Sequence, residues 1–513
     1  MEGTIQKDLI QSKNRWTGEV LGEVEVMGPE QVREVVEKSR KAQREWAKLS
    51  PHERAEELKK VIPALLNRKQ KIVEILTKET GKPPLEALSG EIFTILESLE
   101  YAIYKGPALL EPKKISHRMM KILKTYAYYS PYGVVGLITP WNFPFFLSFG
   151  PAISALIAGN SVVIKPSEFT PLSVLEIVKV FEDAGMPENL VSVVTGYGET
   201  GEALIRSGVD KISFTGSVAT GRKVASLCGE LLIPVTMELG GKDPMIVLKD
   251  APLERAVKGA LWGGFCNSGQ ICASVERVYV EEPIYNHFLE LLKEEAHHLR
   301  QKGENPYETE LGPMNNDKQY EIVASQVEDA LQKGAKALVG GKGEKPFFSP
   351  TILVNVTPEM RIYKEETFGP VVIVDKIKDV DEGIEKANNS PYGLTASIWT
   401  QDEERAFELA NKLDFGFVFI NDHLGASGAG EVSWGGFKES GFGKTRGPEG
   451  ILEMAKLKYA SEDITGASTA PYWFPYTQEK YERFSEVIDQ IYGGGLLARL
   501  TGLLKLTWLL YRG

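Results

Sequence analysis

The chain has 513 residues, 42% hydrophobic, 25% charged and 9% aromatic, with 50 Gly and 28 Pro; this suggests about three packed, turn-rich units and excludes a disordered, collagen-like or coiled-coil protein. With 59 basic and 70 acidic residues the formal charge is −11, so no nucleic-acid partner held by a net positive field is expected. Three cysteines, Cys228, Cys266 and Cys272, exclude an even-numbered disulfide framework, and the polar start MEGTIQKDLIQSKN has no apolar signal core, which predicts a cytoplasmic protein.

The first predicted elements are helices. Val32, Val35 and Val36 fall at helical spacing within 29–49, and Ser50 before Pro51 and Glu53 opens a second helix that runs to Gly81. Ser at the N-cap, Pro at N1 and Glu at N3 satisfy or avoid the orphan amides, which makes this a capping box. From Gly133 short apolar runs at 133–139, 161–165, 191–194 and 211–214 alternate with helical segments such as 171–184. That alternation predicts a doubly wound parallel sheet covered on both faces. Strands predicted at 245–248, 275–280, 371–375, 396–399 and 418–421, with helices at 283–300 and 402–413, form a second α/β series. Residues 115–129 and 457–461 read as isolated strand pieces that meet each other or a neighbouring subunit. An aromatic run at 471–476, a helix over 477–492 and a leucine-rich end follow.

Several polar residues stand where such a sheet places ligands. Residues 196–201, GYGETG, match G-x-G-x-x-G between a strand and a helix, although in a chain with 50 Gly a turn cluster explains them as well. Phe214-Thr215-Gly216-Ser217 ends a strand and opens a helix with Gly221 on its first turn, either an anion site or a plain Ser N-cap. Asn142 lies in PWNFP at the end of the first parallel strand. Glu238 precedes a double glycine in TMELGGK, as a structural ion pair or a tuned base. Cys272 sits in the polar segment NSGQICA, whereas a lone cysteine is more often a small buried hydrophobe. No H-E-x-x-H array, zinc-knuckle spacing or G-x-S-x-G elbow is present, so neither a metal site nor a serine hydrolase is expected.

Together, TPWNFP (139–144), KPSE (165–168), FTGS with Gly221, MELGGK (237–242), NSGQICAS (267–274), EETFGP (365–370) and GGFKESGFG (435–443) resemble the aldehyde dehydrogenase superfamily in content and order, over residues 20–460. The resemblance implies an α/β fold with a Rossmann-type NAD-binding domain at 1–110 and 132–240 and a catalytic domain at 241–440. It adds a small oligomerisation β element at 111–131 and 441–464, and leaves 465–513 as a tail. Cys272 is then the thiolate that attacks the aldehyde, Asn142 and the Cys272 N–H hold the oxyanion, and Glu238 activates the water that hydrolyses the thioester.

For the cofactor, NAD, the resemblance implies Lys165 and Glu168 at the adenine ribose, Ser217 at the pyrophosphate, and Glu366 and Phe368 at the nicotinamide end. Ile138, Thr139, Trp141, Ser167, Gly198, Phe214, Thr215, Gly216, Gly221 and Leu239 complete that surface, with GYGETG on the adenine side. Glu168 would repel a 2′-phosphate, hence NAD over NADP. The implied partners are a small aldehyde and further copies of the chain, as a dimer or tetramer.

Phe143, Phe146, Leu147, Gly150, Ile271 and Ala273 flank the implied channel and carry no charge. They predict apolar aldehydes, aliphatic of medium or long chain or aromatic, rather than dicarboxylate semialdehydes, which want an arginine. A coenzyme A acylating enzyme is the enzymatic alternative, disfavoured by Glu238; a noncatalytic protein on the same scaffold is disfavoured by Cys272, Glu238 and Asn142 together.

Residues 494–513 carry Arg499, Lys505 and Arg512 and no acid, too charged for a bilayer span. Leu496, Leu497, Leu500, Leu503, Leu504, Trp508 and Tyr511 share one helical face, opposed by Lys505 and Arg512. Such a helix packs on a partner subunit or at the channel mouth, the preferred reading, or makes peripheral membrane contact.

Overall fold

The capping box is formed: Ser50 Oγ accepts the Glu53 amide at 3.3 Å and Glu53 Oε2 accepts the Ser50 amide at 2.7 Å. The helix it opens does not run unbroken to Gly81, but ends at Pro51–Lys59 and restarts as Val61–Thr80. Pro63 is the reason: it has no N–H for the carbonyl of Lys59, and it sits in the first turn of the second helix, where that N–H is not needed. Gly81, at φ 86°, ends the second helix as expected.

The computed structural model describes residues 8–302 and 305–512, apart from the Arg512 side chain. The first half of the polar start, the Arg512 side chain assigned to the tail's polar face, and Gly513 therefore lie outside the described residues. The chain divides into a large unit, Met1–Leu109 with Pro131–Ala455, and a small one, Leu110–Ser130 with Lys456–Gly513.

The large unit holds two sheets. The six-stranded one has the order Gly441–Phe442, Val235–Glu238, Lys211–Thr215, Val134–Ile138, Ser161–Lys165, Val191–Val193, parallel except for the first strand. Chain order runs outward on both sides of Val134–Ile138, so a crevice opens beyond the carboxyl ends of this strand and its two neighbours. Val134, Val163, Leu204, Ile212 and Phe214 form one buried core cluster with Val32 and Val36 of the helix Pro29–Trp46. Each such buried side chain contributes about 1.5–3 kcal/mol.

Gly441–Phe442, which a boundary at 441 assigns to the oligomerisation element, lies instead beside Met237 and Glu238 at the edge of this sheet. Gly441 has φ 120°, and a Cβ there would stand 2.1 Å from the Met237 carbonyl, so only glycine permits the approach.

The second sheet has seven strands in the order Lys336–Val339, Thr351–Val354, Val371–Ile377, Val275–Glu281, Asp243–Val247, Thr395–Trp399, Phe417–Ile420. Lys336–Val339 is antiparallel to its neighbour and the other pairs are parallel.

In the small unit the isolated strand pieces do meet, as a sheet in the order Ala455–Asp463, Leu123–Pro131, Lys113–Ile115. The tail forms helices Gln478–Ile488 and Leu496–Arg512. Leu506 and Leu510 pack on Ile122, Val487 and Ile491, while Leu496, Leu497, Leu500 and Leu504 stay exposed. The face drawn from the large side chains is thus not the one covered here. Gly502 decides this, since a Cβ on it would stand 2.9 Å from both Gln490 and Ile491 side chains. Among the described residues no helix is long and apolar enough to cross a membrane.

Candidate active site

Asn142 stands just beyond the strand Val134–Ile138, before the helix Pro144–Ile157. The first amides of that helix, Phe145 and Phe146, donate to Glu91 Oε2 at 2.9 and 3.0 Å. Glu91 is paired at 2.5 Å with Lys82 Nζ, which also donates to the Asn142 carbonyl at 2.7 Å and lies 3.6 Å from the Phe143 ring centre. Lys82 and Glu91 are fully buried and satisfy each other. The Asn142 side-chain amide spends one hydrogen on the Gln270 carbonyl, at 3.1 Å, and keeps the other.

The loop before Cys272 turns through three consecutive left-handed residues, Asn267, Ser268 and Gly269, at φ 50°, 54° and 70°. Left-handed non-glycine residues cost about 1–2 kcal/mol each, and the loop is held by Ser268 Oγ donating to the Gly312 carbonyl and Asn315 N donating to Gln270 Oε1. A Cβ on Gly269 would stand 2.0 Å from the Gly369 carbonyl, and one on Gly241 2.3 Å from the Cys272 carbonyl.

Glu238 ends the strand Val235–Glu238, buried, with Oε1 lacking a partner among the described residues. Burial raises its carboxyl to about 7, opposed by the charges of Arg446 and Lys444 and by a hydrogen bond from Trp434. The Cys272 thiol is pushed well above its ordinary range by burial and by the carboxylates of Glu238, Glu366 and Asp243. It is therefore protonated at rest and needs a base.

Glu366 accepts the Gly241 amide at 3.0 Å, and its carboxyl is pushed up to about 8 by burial and by Glu276. A Cβ on Gly240 would meet that carboxyl at 2.4 Å. Glu276, paired with Lys242, accepts the amides of Thr367 and Phe368, and Gln319 Nε2 donates to the carbonyls of both. Phe368, at φ 53°, meets the Trp141 ring edge-on at 5.4 Å.

Two cavities, of about 370 and 230 Å³, share Leu147, Thr215, Glu238 and Cys272 in their walls. The smaller gathers Trp141, Asn142, Gly216, Ser217, Leu239, Glu366 and Phe368 from the predicted site. Ile138, Thr139, Lys165, Ser167, Glu168, Gly198, Phe214 and Gly221 line neither cavity. They sit at strand ends and helix starts around the same crevice: Thr139 N donates to the Lys165 carbonyl at 3.1 Å, and Ser167 Oγ reaches Glu168 Oε2 at 3.3 Å. Lys165, buried, has its Nζ 4.0 Å from Glu168. Gly198 opens the helix Gly198–Arg206, in which a Cβ on Gly201 would stand 3.8 Å from Ile138. Ser217 caps the helix Val218–Glu230, Gly216 lies against the Phe214 ring and Gly221 against Leu239. A helix N-terminus, a buried lysine and a cavity bordered by two carboxylates and a thiol fit a dinucleotide.

The larger cavity is walled by Phe93, Phe143, Phe146, Leu147, Trp262, Ile271 and Trp434. Its wall is not free of charge, because Glu86, Glu97 and Arg446 also reach it. Sequence reasoning missed Lys82, Glu91, Glu276, Gln319 and Arg446. The first four act on the backbone of the recognisable motifs, and no local pattern marks them.

Residues 3–460 match the family model described as "Aldehyde dehydrogenase family". The chain is 40% identical to the 4,4'-diapolycopene aldehyde oxidase of Methylomonas sp, over 93% of this chain and 90% of that protein. It is 36% identical to a Mycolicibacterium smegmatis protein named "Putative succinate-semialdehyde dehydrogenase", with NADP(+) in its name, over 86% of each. The NAD+ complex of aldehyde dehydrogenase from Bacillus cereus superposes with a TM-score of 0.85 at 35% identity, over 89% of this chain and 94% of that one.

Proposed function

The chain belongs to the aldehyde dehydrogenase family, and on that premise we propose that it oxidises apolar aldehydes, of medium or long aliphatic chain or aromatic, to carboxylic acids with NAD. The observation that carries the reading is the shared wall: Cys272 and Glu238 border both a cavity lined mainly by aromatic and aliphatic side chains and a smaller one suited to a nicotinamide. In this reading Glu238, partly ionised at neutral pH, takes the Cys272 proton, and the thiolate adds to the carbonyl carbon. The free Asn142 amide hydrogen and the Cys272 N–H meet the charge on oxygen. When bound, the dinucleotide supplies a hydride acceptor. Loss of hydride to that acceptor leaves a thioester on Cys272; Glu238, once it has passed the thiol proton to solvent, takes a proton from the water whose oxygen adds to the acyl carbon, expelling the thiolate.

Lys165 and Glu168 are assigned to the adenine ribose, Ser217 to the pyrophosphate, and Glu366 and Phe368 to the nicotinamide end. The domain division is retained, with Gly441–Phe442 moved to the cofactor domain. The Glu168 carboxylate would oppose a 2′-phosphate, so kcat/KM is expected to be higher with NAD than with NADP. Glu168→Ser should narrow that preference by about tenfold, the effect of about 1.4 kcal/mol of relieved repulsion; an unchanged ratio would remove Glu168 from the ribose site.

In NADH absorbance assays hexanal and longer homologues should show higher kcat/KM than succinic semialdehyde, and added coenzyme A should not accelerate turnover. The reverse order would overturn the apolar reading and favour the activity named for the Mycolicibacterium relative.

The uncovered side of the tail helix is assigned to a second subunit, with a membrane surface as the competing reading. Deleting 494–513 is expected to lower the oligomer mass and leave liposome flotation unchanged. Loss of flotation at constant mass would favour the membrane, and no change in either would discard both.

A further inference from the structure

Arg446 is the one basic side chain in the wall of the larger cavity among the described residues, a wall that the carboxylates Glu86, Glu97 and Glu238 also reach. It is 6% exposed. Its guanidinium lies between two rings, 5.0 Å from the centres of both Phe146 and Trp434. Both rings are within cation–π reach of it, while Nε and Nη1 find no acceptor among the described residues. Its backbone is fixed on both sides: Thr445 N donates to the Trp434 carbonyl at 3.0 Å, and Arg446 caps the helix Gly447–Glu453. A buried cation without an ion-pair partner is costly, and the opposite charges that act on it most are Glu238 and then Cys272.

We propose that Arg446 is a positioning residue for the hydrolytic half of the reaction, a ring-clamped positive charge that keeps Glu238 ionised as the general base. The proposal rests on the Cys272–Glu238 reading above. The groups acting on Glu238 are Arg446 and Lys444, with the Trp434 indole as a hydrogen-bond partner and the Cys272 thiol in the same cavity wall. Lys444 is the weaker influence of the two cations, and its Nζ donates to the Gly435 carbonyl at 2.9 Å. Arginine suits the place because its planar group stacks between aromatic rings and stays charged when buried. An apolar aldehyde needs no counter-charge, so a cation in this wall has its use in the protein's own chemistry.

The test uses p-nitrophenyl acetate, which needs neither aldehyde nor dinucleotide. The Cys272 thiolate displaces p-nitrophenolate, giving a burst and a thioester. Water, deprotonated by Glu238, then adds to the acyl carbon and expels the thiolate, giving the steady state. In the full chain the steady-state rate should rise with pH about a midpoint near 7, as the Glu238 carboxyl loses its proton. Arg446→Met should keep the burst and move the midpoint up by about one unit, so that turnover at pH 7 falls about fivefold. Arg446→Lys should recover part of the shift, and in a Glu238→Gln background Arg446→Met should produce none. An Arg446→Met protein with the native midpoint, whatever its maximal rate, overturns the proposal. So does a native midpoint joined to a changed preference between succinic semialdehyde and hexanal, which would make Arg446 a substrate contact. Failure of every aldehyde with the ester result intact would instead defeat the aldehyde reading.

Discussion

Replacing Cys272 by Ala is expected to abolish aldehyde-dependent NADH formation, by on the order of 10⁴-fold or more, as loss of a covalent nucleophile does. No other group in the two cavities can take its place. Cys266 also lines the larger cavity, but it does not reach the smaller one, and the carboxylate acting on its thiol is Glu86 rather than Glu238. Cys228 is buried in the core cluster against the six-stranded sheet, with its thiol raised to about 11. The check is NADH absorbance with hexanal, alongside iodoacetamide labelling of the native protein, which should map to Cys272. Undiminished turnover in the alanine variant would remove the thiol from the mechanism.

The second large effect concerns Glu238. Glu238→Gln keeps the shape of the strand end and removes the base, which is worth about 10²–10⁴-fold. Because the carboxyl sits at about 7 and must be ionised to act, native activity should rise with pH through that value. The glutamine variant should lose that limb and accumulate the thioester. Stopped-flow traces should then show at most one equivalent of NADH per site, formed more slowly than in the native protein because the Cys272 thiol has lost its base, followed by near arrest. A variant with native turnover and the same pH limb would assign the base elsewhere.

The features readable in the sequence are local ones. The capping box at Ser50, the parallel runs at 134–138 and 161–165, and the Gly81 stop depend on neighbouring residues, and each is found. The edge strand Lys336–Val339 escapes notice because it is partly exposed and its apolar run, Ala337–Val339, is only three residues long. The break at Lys60 needed only Pro63 to be weighed against the apolar periodicity around it. The tail is harder. Its exposed leucines make the more conspicuous stripe, but backbone approach at Gly502 selects the other side.

The site divides the same way. Asn142, Glu238, Cys272, Glu366 and Phe368 lie in recognisable segments and share one cavity. Lys82, Glu91 and Glu276 work through tertiary bonds to the backbone at Asn142, Phe145 and Thr367. Charge burial of this kind has no periodicity to read. Arg446 was concealed for another reason: it follows the glycine-rich motif at 435–443, and only folding brings it between Phe146 and Trp434.

The central claim is that Cys272 carries the acyl group between oxidation and hydrolysis. It is tested most directly by mixing Glu238→Gln with NAD and hexanal, quenching in acid, and locating the hexanoyl adduct by peptide mass spectrometry. The account predicts one adduct per chain, on the peptide containing Cys272, in step with NADH formed. NADH formation with no acyl group on Cys272, or with the adduct on another residue, would contradict it.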